Sequence, residues 1–186
     1  MQHLKGQESR NKIIKCAAEL FYKNGYNSTG IKEILDKTKL TKGSFYFYFK
    51  SKKELAIEVS KYYEKELKES ILQYYKKDKI NFIYAFIDGM IEKAEKNEFL
   101  GCPITTVAQE LAYFEPDVAK HFNNSLQQLI GLFHKCFLDK GKTEDEAVKL
   151  AEKTFLIYEG YLVYFRISKN VNLLKHMKNE MREIFN

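Results

Sequence analysis

Two closely spaced turns within residues 25–55, GYNSTGIKEILDKTKLTKGSFYFYFKSKKEL, constrain this chain more than any other feature. The segment opens on Gly25, a residue commonly found just past a helix end. Thr29 offers a hydroxyl to N-cap a second helix whose Ile31, Ile34 and Leu35 face inward. Lys39-Leu40 makes the next turn, and Thr41 caps a short third helix. Ser51-Lys52-Lys53-Glu54 has the pattern of a capping box, so a fourth helix starts there. Upstream, Ile13, Ile14, Ala17, Ala18, Leu20 and Phe21 recur at helical intervals over residues 7–24, with Arg10, Lys12 and Lys15 toward the polar side. With only 2 Pro and 9 Gly in 186 residues, the chain lacks the turn signals that strands would need. The spacing predicts three short helices, with Leu40, Phe45 and Phe49 packed on the first, joined by a turn of three to four residues.

Charge gives this arrangement a direction. Of the 31 Lys and Arg, 12 lie in the first 55 residues, against 5 of the 25 Asp and Glu. The N-terminal third therefore carries +7 and the remainder −1, for a net +6. A basic helix-turn-helix on a neutral body suits a nucleic-acid binder, since affinity for phosphates grows with each cation that displaces counterions. Lys42 is placed to reach guanine edges, Tyr46 and Tyr48 point away from the core, and Gly43 lets the backbone approach DNA. Thr29 and Lys52 stand near helix N-termini, where phosphate is attracted. Lys39 in the turn and Ser44 on the third helix complete the DNA-binding set with Thr41.

The rest of the chain reads as further helices. The fourth runs to about Tyr75, and KKDK (76–79) breaks it as a loop. A fifth carries Phe82, Ile83, Phe86, Ile87, Met90 and Ile91. Pro103 and Pro116 each open a helix at the position where the missing N–H costs nothing. Gly141 closes the seventh, and Thr143-Glu144-Asp145-Glu146 is a second capping box opening an eighth to about Ser168. A ninth covers roughly 172–185. The expected architecture is all-α. Residues 1–55 form a helix-turn-helix DNA-binding domain, and residues 56–186 a helical effector-binding and dimerisation domain.

The segment 25–55 resembles the DNA-binding signature of TetR-family transcriptional regulators. The match includes Gly25-Tyr26 after the first helix, Thr29, Ile34, Thr41, Gly43, Tyr46-x-x-Phe49 and Lys52, and it spans residues 7–60. The resemblance implies an all-helical homodimer of about nine helices. It also implies contacts to phosphate or bases from Thr29, Lys42, Gly43, Ser44, Tyr46, Tyr48 and Lys52. Departures are Leu35 and Thr38 where the family usually has Ala, Lys39 where it has Gly, and Tyr48 where it has His. Lys39 is the oddest, because glycine there tolerates a left-handed backbone.

The family resemblance further implies a ligand pocket within helices four to eight. Gly101-Cys102-Pro103-Ile104 with Ala108-Gln109-Glu110-Leu111 is similar to a segment in a branch associated with small organic effectors. The many tyrosines of the body supply apolar walls with polar tips. Tyr63, Phe86, Met90, Cys102, Tyr113, Phe133, His134, Phe137 and Tyr158 are the candidate effector-binding residues, and the walls suit a hydrophobic or aromatic effector. Small residues and an apolar stripe on helices eight and nine suit close helix packing. The resemblance implies that they form a four-helix dimer interface, here through Ala147, Leu150, Ala151, Thr154, Tyr158, Tyr161, Leu174, Met177, Met181 and Ile184.

The function expected is a DNA-binding repressor released from a palindromic operator by a small effector. A second reading is an electrophile- or redox-sensing repressor acting through Cys102, because helix N-termini stabilise thiolates. A third is a constitutive DNA binder whose body only dimerises. An enzyme is not expected: His3, His121, His134 and His176 are scattered, with no HExxH and no nucleophile elbow, although His134 and Glu110 could meet in a pocket. No metal or cofactor is expected. The three cysteines, Cys16, Cys102 and Cys136, lack CxxC spacing and fit a reducing cytoplasm. No stretch of about 18 apolar residues suggests a membrane partner.

Overall fold

The computed structural model describes residues 2–79 and 81–185, with side chains from Gly6 onward. Among these residues there are nine helices and no strand. They are α1 (Gln2–Asn24), α2 (Ile31–Thr38), α3 (Lys42–Tyr48), α4 (Lys52–Lys77), α5 (Phe82–Glu95), α6 (Pro103–Phe114), α7 (Pro116–Asp139), α8 (Glu144–Ser168) and α9 (Asn172–Phe185). The all-α expectation holds. The chain divides into two compact units, one of Met1–Glu64 with Pro103–Ser125 and the other of Lys65–Cys102 with Leu126–Asn186.

Local chemistry sets most helix ends. The Thr41 hydroxyl accepts the Ser44 N–H at 3.2 Å and so satisfies one of the free donors of α3. Thr143 and Glu146 close a full capping box at the start of α8. Ser51 accepts the Glu54 N–H at 3.2 Å, while the Glu54 carboxylate accepts from Lys50 rather than Ser51, so this box closes one residue early. Three ends differ from expectation. Helix α1 begins at Gln2, in a stretch without apolar periodicity. Helix α4 runs through Lys77, so half of the expected KKDK loop is helical. Lysine is a good helix former and its charge complements the C-terminal end of the dipole. The N-cap of α2 is Gly30, not Thr29.

The first unit packs α1 against α2, α3 and α6. Ile13, Ala17, Phe21, Ile34, Phe45, Phe49, Leu55, Val107, Leu111 and Phe122 are buried there. The Arg10 guanidinium lies 5.4 Å from the Phe49 ring centroid and pairs with Glu58, which ties α1 to the end of α3 and to α4.

The second unit gathers around Phe185. Its ring lies 4.7 Å from Phe137, 6.2 Å from Phe82 and 6.4 Å from Phe133, and Phe133 lies 6.2 Å from Tyr158. Offset and edge-on rings at such spacings contribute beyond the area they bury. One helical turn before Tyr158, the fully buried Thr154 hydroxyl has no hydrogen-bond partner. An orphaned buried hydroxyl carries a desolvation cost that an apolar group of the same shape does not. Thr154→Val is therefore expected to stabilise the fold by about 1 kcal/mol, read as a higher urea midpoint at unchanged m-value.

Candidate nucleic-acid interface

The turn Lys39-Leu40-Thr41 joins α2 to α3 in three residues. Lys39 adopts a left-handed backbone, φ 57° and ψ 34°, with the Leu40 N–H donating to the Leu35 carbonyl at 3.2 Å. The expected departure is thus real: a lysine occupies the conformation for which glycine is preferred. The buried face of α3 is Phe45, continued by Phe49 just beyond its end. At about 100° per residue, Gly43 and Phe47 lie on the opposite face. Lys42 and Tyr46 flank them on one side, with Ser44 and Tyr48 on the other. Lys42 and Gly43 are exposed, Tyr46 is 48% exposed, and Ser44 and Tyr48 are half-buried. The Lys42 ammonium lies 5.9 Å from the Tyr46 ring centroid. Tyr48 bends back toward α1, with its hydroxyl 3.5 Å from where a Cβ on Gly6 would stand.

A carboxylate from α6 secures the base of this arrangement. Glu110 accepts the Asn27 N–H at 3.0 Å, in the turn between α1 and α2. Gly25, which ends α1 at φ +92°, faces the same carboxylate, and a Cβ there would stand 2.4 Å from its Oε1. The Lys52 ammonium lies 4.2 Å from the Tyr26 ring centroid. Burial pulls its pKa below the ordinary lysine value, and the Glu110 charge opposes part of that pull. Lys52 is therefore half-buried against the turn rather than swinging free. Lys53 pairs at 2.7 Å with Glu115, the residue between α6 and α7.

One expected contact is corrected. Thr29 is fully buried, and its hydroxyl donates to the Gly25 carbonyl at 2.8 Å. With that bond made and no exposed surface, it neither caps α2 nor reaches a phosphate. Phe47 was missed. It is 81% exposed at the centre of the outward face. Its position four residues after Gly43 and two after the core Phe45 carried the signal.

The family model described as bacterial regulatory proteins of the tetR family matches residues 13–59. A second, the C-terminal domain of LmrA/YxaF-like transcriptional regulators, matches residues 80–180, more than half of the chain. The chain belongs to the TetR family of transcriptional regulators. It is 28% identical over 184 residues to an uncharacterized HTH-type regulator of the lacX 3′ region of Lactococcus lactis, covering 91% of this chain and 89% of that one. It is 24% identical over 176 residues to the regulator LmrA of Bacillus subtilis, covering 92% and 94%. A crystal structure of a TetR transcriptional regulator from Chloroflexus aurantiacus matches 97% of this chain and 94% of its own, at 28% identity and a TM-score of 0.79.

The body of this TetR-family regulator departs from several sequence expectations. Tyr113 is 84% exposed beside exposed Phe114, so it lines no enclosed pocket. Tyr63 is packed in the first unit, its hydroxyl donating to the Ala18 carbonyl at 2.5 Å, whereas Phe86, Met90, Phe133, Phe137 and Tyr158 are buried in the second. His134 Nε2 lies 3.0 Å from Glu144 Oε1 in the second unit, and Glu110 is engaged at the α1–α2 turn in the first. Cys102 is buried immediately before Pro103. Burial raises the Cys16 pKa and pushes that of Cys136 up to about 12. The His3 side chain lies outside the described residues. Among the described residues no three His, Cys, Asp or Glu gather to hold a metal, and no helix is long and apolar enough to cross a membrane.

The interface set also needs correction. Ala147, Ala151, Thr154, Tyr158, Leu174, Met177 and Met181 are buried within the chain itself, so they have no surface left for a partner. Leu150, Tyr161 and Ile184 keep partial exposure. The regular apolar stripe of α8 and α9 faces their own core. The outward face of α8 carries Leu156 at 68% and Ile167 at 76% exposure, together with exposed Tyr164. Beside them, Leu156, Ile157, Gly160, Tyr161, Tyr164, Leu173 and Glu180 line an open groove of about 480 Å³.

Two backbone substitutions test the reading head. Gly25→Ala forces a side chain into both a positive φ and the Glu110 carboxylate; we expect a loss of at least ~2 kcal/mol in denaturant unfolding. Lys39→Gly relieves the left-handed lysine and is expected to add up to ~1 kcal/mol in the same measurement.

Proposed function

We propose that this DNA-binding regulator is a homodimeric repressor released from a palindromic operator by a small hydrophobic or aromatic effector. The observation that carries the reading is the outward face of α3, with exposed Lys42, Gly43 and Tyr46 opposite a core of Phe45 and Phe49, in the third of the chain that holds the positive charge. Residues 1–55 act as the DNA-binding domain and residues 56–186 as the effector and dimerisation domain. Lys42, Gly43, Ser44, Tyr46 and Tyr48 meet bases and phosphates, with Lys39, Thr41 and Lys52 at the flanks. The protein works in the cytoplasm and turns over no substrate.

A two-fold dimer presents its two reading helices about one turn apart, ~34–36 Å, which matches a palindrome. The outward face of α8 supports this pairing. Leu156, Gly160, Tyr164 and Ile167 recur at intervals of three to four, and a Cβ on Gly160 would meet nothing within 4 Å, so a second backbone can approach closely there. The effector enters the second unit near Phe86, Met90, Phe133, Phe137 and Tyr158, where the unpartnered Thr154 hydroxyl offers a buried polar contact. Helix α4 runs unbroken from Lys52 to Lys77 and contributes to both units. An effector that binds the non-gripping dimer more tightly shifts the population away from DNA.

The test is anisotropy titration of full-length protein against a palindromic duplex drawn from the region upstream of its own or a neighbouring gene. Affinity should fall steeply with salt. Lys42→Ala should cost about 1–3 kcal/mol and relax discrimination at one base pair per half-site. Leu156→Asp should convert dimer to folded monomer in light scattering and weaken operator binding. Salt-insensitive or absent binding by a dimeric sample would remove the repressor reading, and an unaffected dimer in Leu156→Asp would remove α8 as its interface.

A further inference from the structure

We propose that Phe47 reads the 5-methyl groups of thymine in the major groove and so sets part of the operator sequence; the inference rests on the proposed meeting of the outward face of α3 with bases, which for a helix-turn-helix places that helix in the major groove. Phe47 is 81% exposed, the most exposed aromatic side chain of the first unit apart from Tyr113. Its ring meets Tyr48 edge-on, with centroids 5.0 Å apart and an interplanar angle of 83°. The Tyr48 hydroxyl in turn lies beside Gly6 of α1.

The position of Phe47 determines what it can meet. It lies opposite Phe45 and Phe49 on α3, in line with Gly43 four residues earlier. A Cβ on Gly43 would meet only the Thr41 hydroxyl, at 3.8 Å, so among the described residues nothing else lies close to that point. A surface docked on this face of the helix reaches Phe47 first, with Lys42 and Tyr46 on one flank and Ser44 and Tyr48 on the other.

The chemistry of the ring narrows the choice further. Phenylalanine has no group that donates or accepts a hydrogen bond, so it reads neither the purine N7 and O6 atoms nor the exocyclic amines. The apolar group that a base edge displays in the major groove is the thymine methyl. An exposed phenyl on the polar face of a basic helix thus distinguishes an A·T pair from G·C by burying that methyl. Single exposed apolar residues are common on protein surfaces. What sets this one apart is its place at the centre of the reading face.

The experiment uses full-length protein and the tightest duplex selected from a random pool. Each thymine of a half-site is replaced in turn by deoxyuridine, symmetrically in both half-sites, which removes the methyl and leaves base pairing intact. Wild type is expected to lose about fourfold per methyl at one or two adjacent positions, the factor to which ~0.8 kcal/mol per buried carbon corresponds. Phe47→Ala, at an exposed position and with an unchanged melting temperature, should bind thymine and uracil duplexes alike, at the level of wild type on uracil. Phe47→Leu should restore part of the discrimination. Equal wild-type binding to every thymine and uracil duplex overturns the proposal, and so does a Phe47→Ala variant that still discriminates. Both outcomes leave salt-dependent operator binding in place, so they are distinct from a failure of the DNA-binding reading, which would appear as no selected duplex at all.

Discussion

The Glu110 carboxylate is the constraint on which the DNA-reading half depends. It occupies the space beside Gly25 that any other residue would fill with a Cβ, and it accepts the Asn27 N–H two residues later. A half-buried carboxylate without partners would be costly. Here a backbone N–H donates to it, and the Lys52 charge, itself held over Tyr26, is near enough to be felt. The α1–α2 turn is therefore shaped by a residue more than eighty positions away in sequence. Since α2 and α3 hang from that turn, the direction in which α3 presents its outward face is set as much by α6 as by the helix-turn-helix itself.

Much of the fold was legible because helix ends are written in local chemistry. Thr41 and Thr143 hold N-terminal N–H groups, Pro103 and Pro116 open α6 and α7, and Gly25 and Gly141 close α1 and α7 with positive φ. Each of these interactions spans a few residues, so the sequence alone displays both partners. The left-handed Lys39 was pointed to only by the resemblance, which has glycine at that position. The extension of α4 through Lys77 was not legible, because a lysine run reads equally as a solvated loop and as a charged helix end.

The errors at the site share a different cause: each depended on which way a side chain faces. Thr29 stands where a cap is expected, but the Gly25 carbonyl takes its hydroxyl. Tyr113 looks like the other body aromatics in sequence, yet it lies in the last turn of α6, and its ring faces solvent. Phe47 was passed over because an aromatic in a run of aromatics reads as core. The inward Phe45 and Phe49 expected from the spacing already implied the rotation of α3 that turns Phe47 outward, and their burial shows it.

Helix α8 gives the same lesson with a further step. In its second half, from Thr154 to Ser168, small and apolar residues cover most of its circumference, and the periodic stripe of Ala147, Ala151, Thr154 and Tyr158 is consumed by the chain's own core. A helix that is apolar all round is buried all round, and a single chain covers only one side of this one. Leu156, Tyr164 and Ile167 remain in solvent, with Gly160 between them opening onto empty space. Charged residues would be the ordinary occupants of such a face. From Thr154 onward none of the exposed positions of α8 is charged, in a chain with 30% charged residues overall, which supports the proposed pairing of this part of α8 with a second copy.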